Sequence, residues 1–398
     1  MSNKQHHFLA YGLFALPLTM VALPLYLMLP NFYGQTLGVN LSLLGGILFL
    51  SRLADAACDP FIGRVVDKFA HYQRWMVGAS VLLCAGMIIL FLPTQSDTSG
   101  VMLYLAAGLV FVYAGFSVGT IAYYALGTQM ARSTTQRTQL SAQRELFGLV
   151  GILLASFMPY VLGSYTAYTG FFIACILLAC IALYRTQRVE RISAQGTTSW
   201  AHVLSNNVFK KWLAIQALCG LSASVSATLM LFYISDVIQK SDWAPAYLVM
   251  YFLSAAISTW LWTQVAIHIG KPKAWCLGVV LSVIFFSATF FLGANNAIAF
   301  MMVCVLTGLT LGADLVLPPA FVADVIGDDQ TLSGQYFGVW TALNKICLAV
   351  GSLALPLWMW LGDHMASTQA LVCIYVGLPV LLRIIAAYKL YQFSVNHK

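Results

Sequence analysis

Arg52, Asp55 and Asp59 stand three and four residues apart in "SRLADAACDPFIGRVVDKF", residues 51–69, directly after the apolar run "LSLLGGILFL". On a helix these positions share one face, within an arc of about 60°. A segment that reads as membrane-spanning therefore carries a guanidinium and two carboxylates side by side. A charge at the bilayer centre costs about 2.5–3.5 kcal/mol even on the lenient insertion scale, so three charges need a reason. One reason is a closed salt bridge, Arg52 with Asp55, which locks the helix to its neighbours. A single guanidinium, however, does not neutralise two carboxylates. The other reason is that two carboxylates one turn apart repel, which raises their affinity for a proton or a small hard cation. The second is preferred, because ionisable residues inside membranes usually mark ion or substrate pathways. Asp55 and Asp59 are thus expected to bind a cation, and to be the metal ligands if that cation is Na+.

The elements that position these residues must be membrane helices. The chain has 398 residues, 60% hydrophobic and 8% charged, against about 25% charged in soluble domains. Runs of about 20 apolar residues are needed to span a bilayer. Twelve occur, near 8–30, 39–60, 76–93, 101–126, 144–163, 167–184, 211–235, 246–268, 273–293, 297–317, 334–361 and 367–390. The short alternating segments of a β-barrel are absent. The first run is too long for a signal-peptide core and is read as a retained helix. All nine cysteines fall inside the runs, without metal spacing, and are expected to pack as small apolar residues.

The net charge of +7 is not a nucleic-acid signature, because of where the charges lie. Seventeen of twenty Lys and Arg, Arg383 among them, are assigned to one side of the twelve spans; Lys240 lies opposite, and Arg52 and Lys345 lie within spans. This positive-inside pattern places both termini in the cytoplasm. The one long polar loop, 185–210, divides the chain into an N-terminal six-helix bundle, 1–184, and a C-terminal one, 211–398. Transporters built from two such halves hold their substrate between them. The expected fold is all-α, twelve transmembrane helices in two bundles.

Outside span 2, Lys345 in "TALNKICLAVG" reads as the only mid-span positive charge of the C-terminal half. It either snorkels to the interface or faces a central cavity. Asp314 is placed near the cytoplasmic end of span 10, as a gate or a plain helix end, with Pro318-Pro319 expected to break the helix after it. Gly115/Gly119 and Gly308/Gly312 permit close helix packing. Tyr26, Tyr113, Tyr124 and Trp340 are candidate cavity-lining aromatics.

"RLADAACDPFIGRVVD" resembles the span-2 motif of the glycoside–pentoside–hexuronide:cation symporters, the melibiose permease group of the major facilitator superfamily. "AYGLFALPLTMVALPLYLMLPNFYGQTLGVN" is similar to that family's first span, and "ADLVLPPAFVADVIGDDQ" to its span-10 block. "GRVVDKFAHYQR" is similar to the superfamily's cytoplasmic motif between spans 2 and 3. The resemblance implies coordination of Na+, Li+ or H+ by Asp55 and Asp59, assisted by the Ser117 hydroxyl. It implies that Arg144 and Lys345 lie near the sugar and cation sites. Gly63, Asp67, Asp314 and Asp324 fall in the motif blocks and, with Arg52, are given gating or structural roles. Where melibiose-type members use carboxylates in spans 1 and 4 to hold sugar hydroxyls, this chain has Thr19 and Thr120. A neutral hydroxyl grips a sugar less strongly than a carboxylate. Thr19, Tyr26, Thr120, Tyr124, Arg144, Trp340 and Lys345 are the expected substrate residues.

The function expected is secondary symport of a small organic solute, a sugar or glycoside, with Na+ or H+ and no cofactor. The carrier is expected as a monomer in a bacterial plasma membrane. An amphiphile such as a lysophospholipid is the alternative substrate, and a non-transporting sensor or scaffold the alternative class. An enzyme is disfavoured: neither a His-Glu-x-x-His nor a Gly-x-Ser-x-Gly pattern nor a phosphate-binding loop occurs.

Overall fold

The computed structural model describes residues 3–21, 25, 29, 32, 33, 37, 39, 41–92, 98–184, 200–294, 296–327 and 330–396. Tyr26 and most of the 185–210 loop lie outside the described residues.

The fold is helical because a bilayer leaves no solvent for unpaired backbone groups, and a helix pairs them within one segment. The first unit begins with α1 (Asn3–Leu13) and α2 (Ala15–Met20). It continues with α3 (Leu41–Phe69), α4 (Tyr72–Phe91), α5 (Thr98–Met130), α6 (Thr134–Leu162) and α7 (Tyr165–Tyr184). After the short α8 (Trp200–Ser205) come α9 (Asn207–Tyr233), α10 (Ala244–Ile269), α11 (Lys271–Ser287) and α12 (Ala297–Ile326). The chain ends with α13 (Ser333–Gly351), α14 (Ala354–Gly362), α15 (Ser367–Val372) and α16 (Leu378–Asn396). Among the described residues, ten helical spans are long and apolar enough to cross a membrane.

Helix ends follow local chemistry. Ser133 caps α6 by accepting from the Gln136 N–H, and Asn206 caps α9 by accepting from the Val208 and Phe209 N–H groups. Gly163, at φ +66°, ends α6 in the left-handed conformation that glycine adopts without penalty.

Two compact units result: Met1–Val203 with Ile326–Ala342, and Leu204–Val325 with Leu343–Lys398. In the first unit the start of α13 meets α3 backbone to backbone. A Cβ on Gly63 would stand 2.1 Å from the Gly334 carbonyl oxygen, and one on Gly338 would stand 2.6 Å from that of Asp59. Only glycine allows this approach. Lipid tails are as apolar as Leu, so packing and interhelical hydrogen bonds hold such helices together. In the first unit the Tyr33 hydroxyl donates to Leu90 O and that of Tyr168 to Met20 O. In the second, Tyr233 donates to Thr289 O. Exposed Leu103, Val110 and Ile257 suit a lipid-facing surface.

The expected break at Pro318-Pro319 does not occur, and α12 runs through both prolines. Proline removes an N–H and displaces the local ladder, and side chains of other helices bond the backbone around the pair. Trp212 Nε1 donates to Pro318 O at 3.2 Å and Lys271 Nζ to Ala320 O at 3.0 Å.

Candidate functional site

In the first unit, α3 and α5 join two of the expected cation ligands. Ser117 Oγ donates to Asp55 Oδ1 at 2.6 Å, the short distance of a hydroxyl bonded to a carboxylate. Asp55 is buried and Asp59, one turn on, is wholly buried, as is Ser117. Arg52 lies half-buried one turn before Asp55. The donor set is all oxygen: two carboxylates and a hydroxyl. Such hard ligands fit Na+ or a proton rather than a soft transition metal.

A second cluster gathers on α5 and α6. The Arg144 guanidinium lies 3.9 Å from the centre of the Tyr124 ring, a cation–π contact. Its Nε donates to Glu145 Oε1 at 2.8 Å and its Nη2 to Ser141 Oγ at 3.0 Å. Tyr124 stacks on Phe337, with ring centres 4.8 Å apart. Thr120, one turn before Tyr124, has a buried hydroxyl with no hydrogen-bond partner among the described residues. The expected substrate residues Thr120, Tyr124 and Arg144 therefore share one neighbourhood. Glu145 belongs with them and was not anticipated. Its only sequence signal is adjacency to Arg144 at the start of an apolar run.

Thr19 sits differently. Its hydroxyl donates at 2.7 Å to Gly148 O across the α2–α6 contact, and also faces Ala15 O and Leu16 O. It is a packing bond in this structure. Trp340 is buried on α13.

Asp67 lies past residue 60, where the apolar run ends. Its carboxylate accepts from the Gly334 N–H at 2.6 Å and the Gln335 N–H at 2.8 Å, capping the first turn of α13. The Tyr72 hydroxyl donates to it at 3.2 Å. Burial pushes this carboxyl up to about 7, while the backbone donors and Tyr72 pull it down. In the same unit Arg137 Nη2 donates to Gly327 O at 3.2 Å.

In the second unit, Asp314 and Arg383 form a partly buried ion pair, with Nη2 to Oδ2 at 2.6 Å. Arg383, assigned from sequence to the cytoplasmic side, instead lies between helices. Lys345 is therefore not the only basic residue buried mid-helix in the C-terminal half. The physical reason is pairing: Asp314 compensates the guanidinium, and Ser222 and Ser282 accept its remaining contacts at 3.2 and 2.6 Å. Trp275 Nε1 donates to the other carboxylate oxygen of Asp314 at 2.8 Å. Asp314 is thus neither a helix end nor isolated. Asp324 pairs with Lys271 at 2.5 Å. Lys345 is half-buried on α13; its neighbour Asn344 accepts from Gln216 Nε2 at 2.8 Å. Single-sequence reading missed Arg383 because its partner stands 69 positions away.

Residues 9–397 match the family model described as MFS/sugar transport protein. The chain is 21% identical to the uncharacterized symporter YnaJ of Bacillus subtilis, over 98% of this chain and 91% of that one. It is 24% identical to the glucuronide carrier protein homolog of Escherichia coli, over 77% and 72% of the two chains. In fold it is similar to FucP, a major facilitator superfamily transporter solved in the outward conformation. The TM-score is 0.73 at 12% identity, over 99% of both chains. The resemblance read from the span-2 and span-10 blocks is borne out by the family and these relatives.

Proposed function

The chain belongs to the MFS/sugar transport protein family, an integral membrane transporter and not an enzyme, and on that premise we propose that it is a cation-coupled symporter of a sugar or glycoside. The carrying observation is the hydrogen bond from Ser117 to Asp55 beside the fully buried Asp59. A cation bound there neutralises carboxylate charge that is costly inside the membrane. Binding of the ion then favours binding of the substrate, and by linkage the substrate favours the ion to the same degree. The Tyr124–Arg144–Glu145 cluster with Thr120 supplies what a sugar needs: a ring face, a guanidinium donor, a carboxylate acceptor and an uncommitted hydroxyl. The glucuronide carrier homolog among the relatives supports a sugar substrate. The coupling ion is Na+ or H+, since the oxygen donors accept either. We further propose that 1–184 and 211–398 act as two six-helix bundles rocking around the site. The carrier would work as a monomer in the bacterial inner membrane, with both termini cytoplasmic.

The test uses purified carrier in proteoliposomes with labelled sugars and glucuronides. An inward Na+ or proton gradient should drive accumulation above the external concentration. Collapse of that gradient with an ionophore should return uptake to equilibration. Accumulation indifferent to both gradients for every transported solute would end the proposal.

A further inference from the structure

In the first unit α6 carries Arg144 and Glu145 side by side. Glu145 Oε1 accepts from Arg144 Nε and from Arg144 Nη2, both at 2.8 Å. Nη2 also donates to Ser141 Oγ at 3.0 Å. The guanidinium rests on the Tyr124 ring, 3.9 Å from its centre. Both charged side chains are largely withdrawn from solvent, at 9% and 19% exposed. Bonds at two edges and a ring beneath fix the guanidinium in place.

We propose that Glu145 sets the charge class of the substrate: the carrier takes neutral glycosides and rejects uronides, the sugars that end in a carboxylate. This rests on the symporter reading above and narrows it. Geometry gives the first argument. A guanidinium grips a carboxylate through two parallel N–H groups. It has two such edges, Nε with Nη2 and Nη1 with Nη2. Each edge needs one hydrogen of Nη2, and those two hydrogens go to Glu145 and Ser141. Neither edge stays whole for a second carboxylate. What remains suits hydroxyls. Oε2 of Glu145 accepts from no described residue, and the buried Thr120 hydroxyl has no partner among them.

Charge gives the second argument. Arg144 and Glu145 sum to zero, and with one bound monovalent cation so do Arg52, Asp55 and Asp59. Lys345, half-buried on α13, is not free to serve as a counter-charge. A uronide would therefore bring one uncompensated negative charge into a largely buried site, where such a charge is costly. A neutral glycoside brings only hydroxyls and ether oxygens.

The experiment is isothermal titration calorimetry on the purified full-length carrier in nanodiscs. The probes are methyl glucosides and methyl galactosides, both anomers, each beside the uronide that differs only at the sixth carbon. At least one glycoside should bind roughly tenfold or more tightly than its uronide. Glu145→Gln keeps the size, removes the acid and leaves Arg144 positive, so uronide affinity should rise roughly tenfold while glycoside affinity does not rise. Ser141→Ala frees one hydrogen of Nη2 without changing charge, and should raise uronide affinity roughly threefold. If Glu145→Gln does not elute as a folded monodisperse species, the wild-type pairs and Ser141→Ala decide. A uronide that binds as tightly as its glycoside, a folded Glu145→Gln with unchanged uronide affinity, or a panel in which nothing binds overturns the proposal. The binding panel involves no gradient, so the coupling reading fails separately: neutral selectivity beside gradient-indifferent uptake would end symport and uphold the charge class.

Discussion

The two units both place acid and base on membrane helices, in different proportions. In the first, Arg52, Asp55 and Asp59 follow one another on α3 with two acids to one base, and a short hydroxyl bond orients Asp55. In the second, Asp314 and Arg383 come from different helices at one to one, and Trp275 and two serines complete their contacts. A charge-balanced, hydrogen-bonded pair is a structural solution to charge inside the membrane. An acid-rich helix face accepting a hydroxyl bond is the arrangement a hard cation completes. On the proposed reading the same residue types serve stability in one unit and ion binding in the other, and substitution should separate the two roles.

The largest expected effect is on stability, in the second unit. Asp314→Asn leaves the partly buried Arg383 guanidinium without its counter-charge, a loss approaching the roughly 3–5 kcal/mol of a fully buried pair. Yield of folded carrier from membranes should collapse. Asp314→Asn with Arg383→Gln removes both charges and should restore much of the yield. A wild-type melting temperature in the single variant would show that the pair is not what holds α12 to α16.

Asp55→Asn and Asp59→Asn should do the reverse. Each keeps the side chain's size, so folded yield should hold, while cation-driven accumulation falls to equilibration. Typical coupling free energies of about 1–3 kcal/mol correspond to a roughly 5- to 150-fold gain in substrate affinity on cation binding, which the variants should lose. Substrate exchange down its own gradient should persist. Normal accumulation by both variants would make α3 resemble the second unit's structural pair and erase the contrast.

Much of this was legible in the sequence, and the boundary of legibility is physical. The α3 charges were readable because residues three and four apart share a helix face, so Arg52, Asp55 and Asp59 announce themselves locally. The helical fold was readable because only apolar runs of sufficient length cross a bilayer. Arg383 and Glu145 were not readable in the same way. Arg383 acquires meaning only from Asp314 on another helix. Glu145 matters only because α6 packs so that Arg144 covers Tyr124. The prolines of α12 misled for a similar reason, since the side chains that bond the backbone around them, Trp212 and Lys271, lie far off in sequence.

A smaller effect should follow from Ser117→Ala. Removing one hydrogen bond to a charged group costs about 1.5–3 kcal/mol when the acceptor stays buried. If the bond serves the loaded site, half-saturating cation concentration should rise roughly tenfold, with maximal uptake and folded yield little changed. A fall in thermal stability with unchanged cation dependence would mean that Ser117 only ties α5 to α3.

The smallest effects, and the finest comparison, lie in two threonines. Thr19 and Thr120 were both expected to meet the substrate, yet their hydroxyls differ. That of Thr19 is committed to Gly148 O at 2.7 Å between helices, while that of Thr120 is buried and makes no hydrogen bond among the described residues. Valine has nearly the same shape and lacks the hydroxyl. Thr19→Val should therefore lose one neutral hydrogen bond, about 1 kcal/mol of stability, and leave the substrate's half-saturating concentration unchanged. Thr120→Val should cost no stability, since no internal bond is lost, and burying a methyl in place of an unsatisfied hydroxyl is neutral or better. Its half-saturating substrate concentration should rise about fivefold, the loss of one hydrogen bond to a bound sugar. Thermal melting and initial uptake rates on the two variants decide between the roles. Weakened substrate affinity in Thr19→Val at unchanged melting temperature would return its hydroxyl to the binding site and leave Thr120 as a buried group without a purpose.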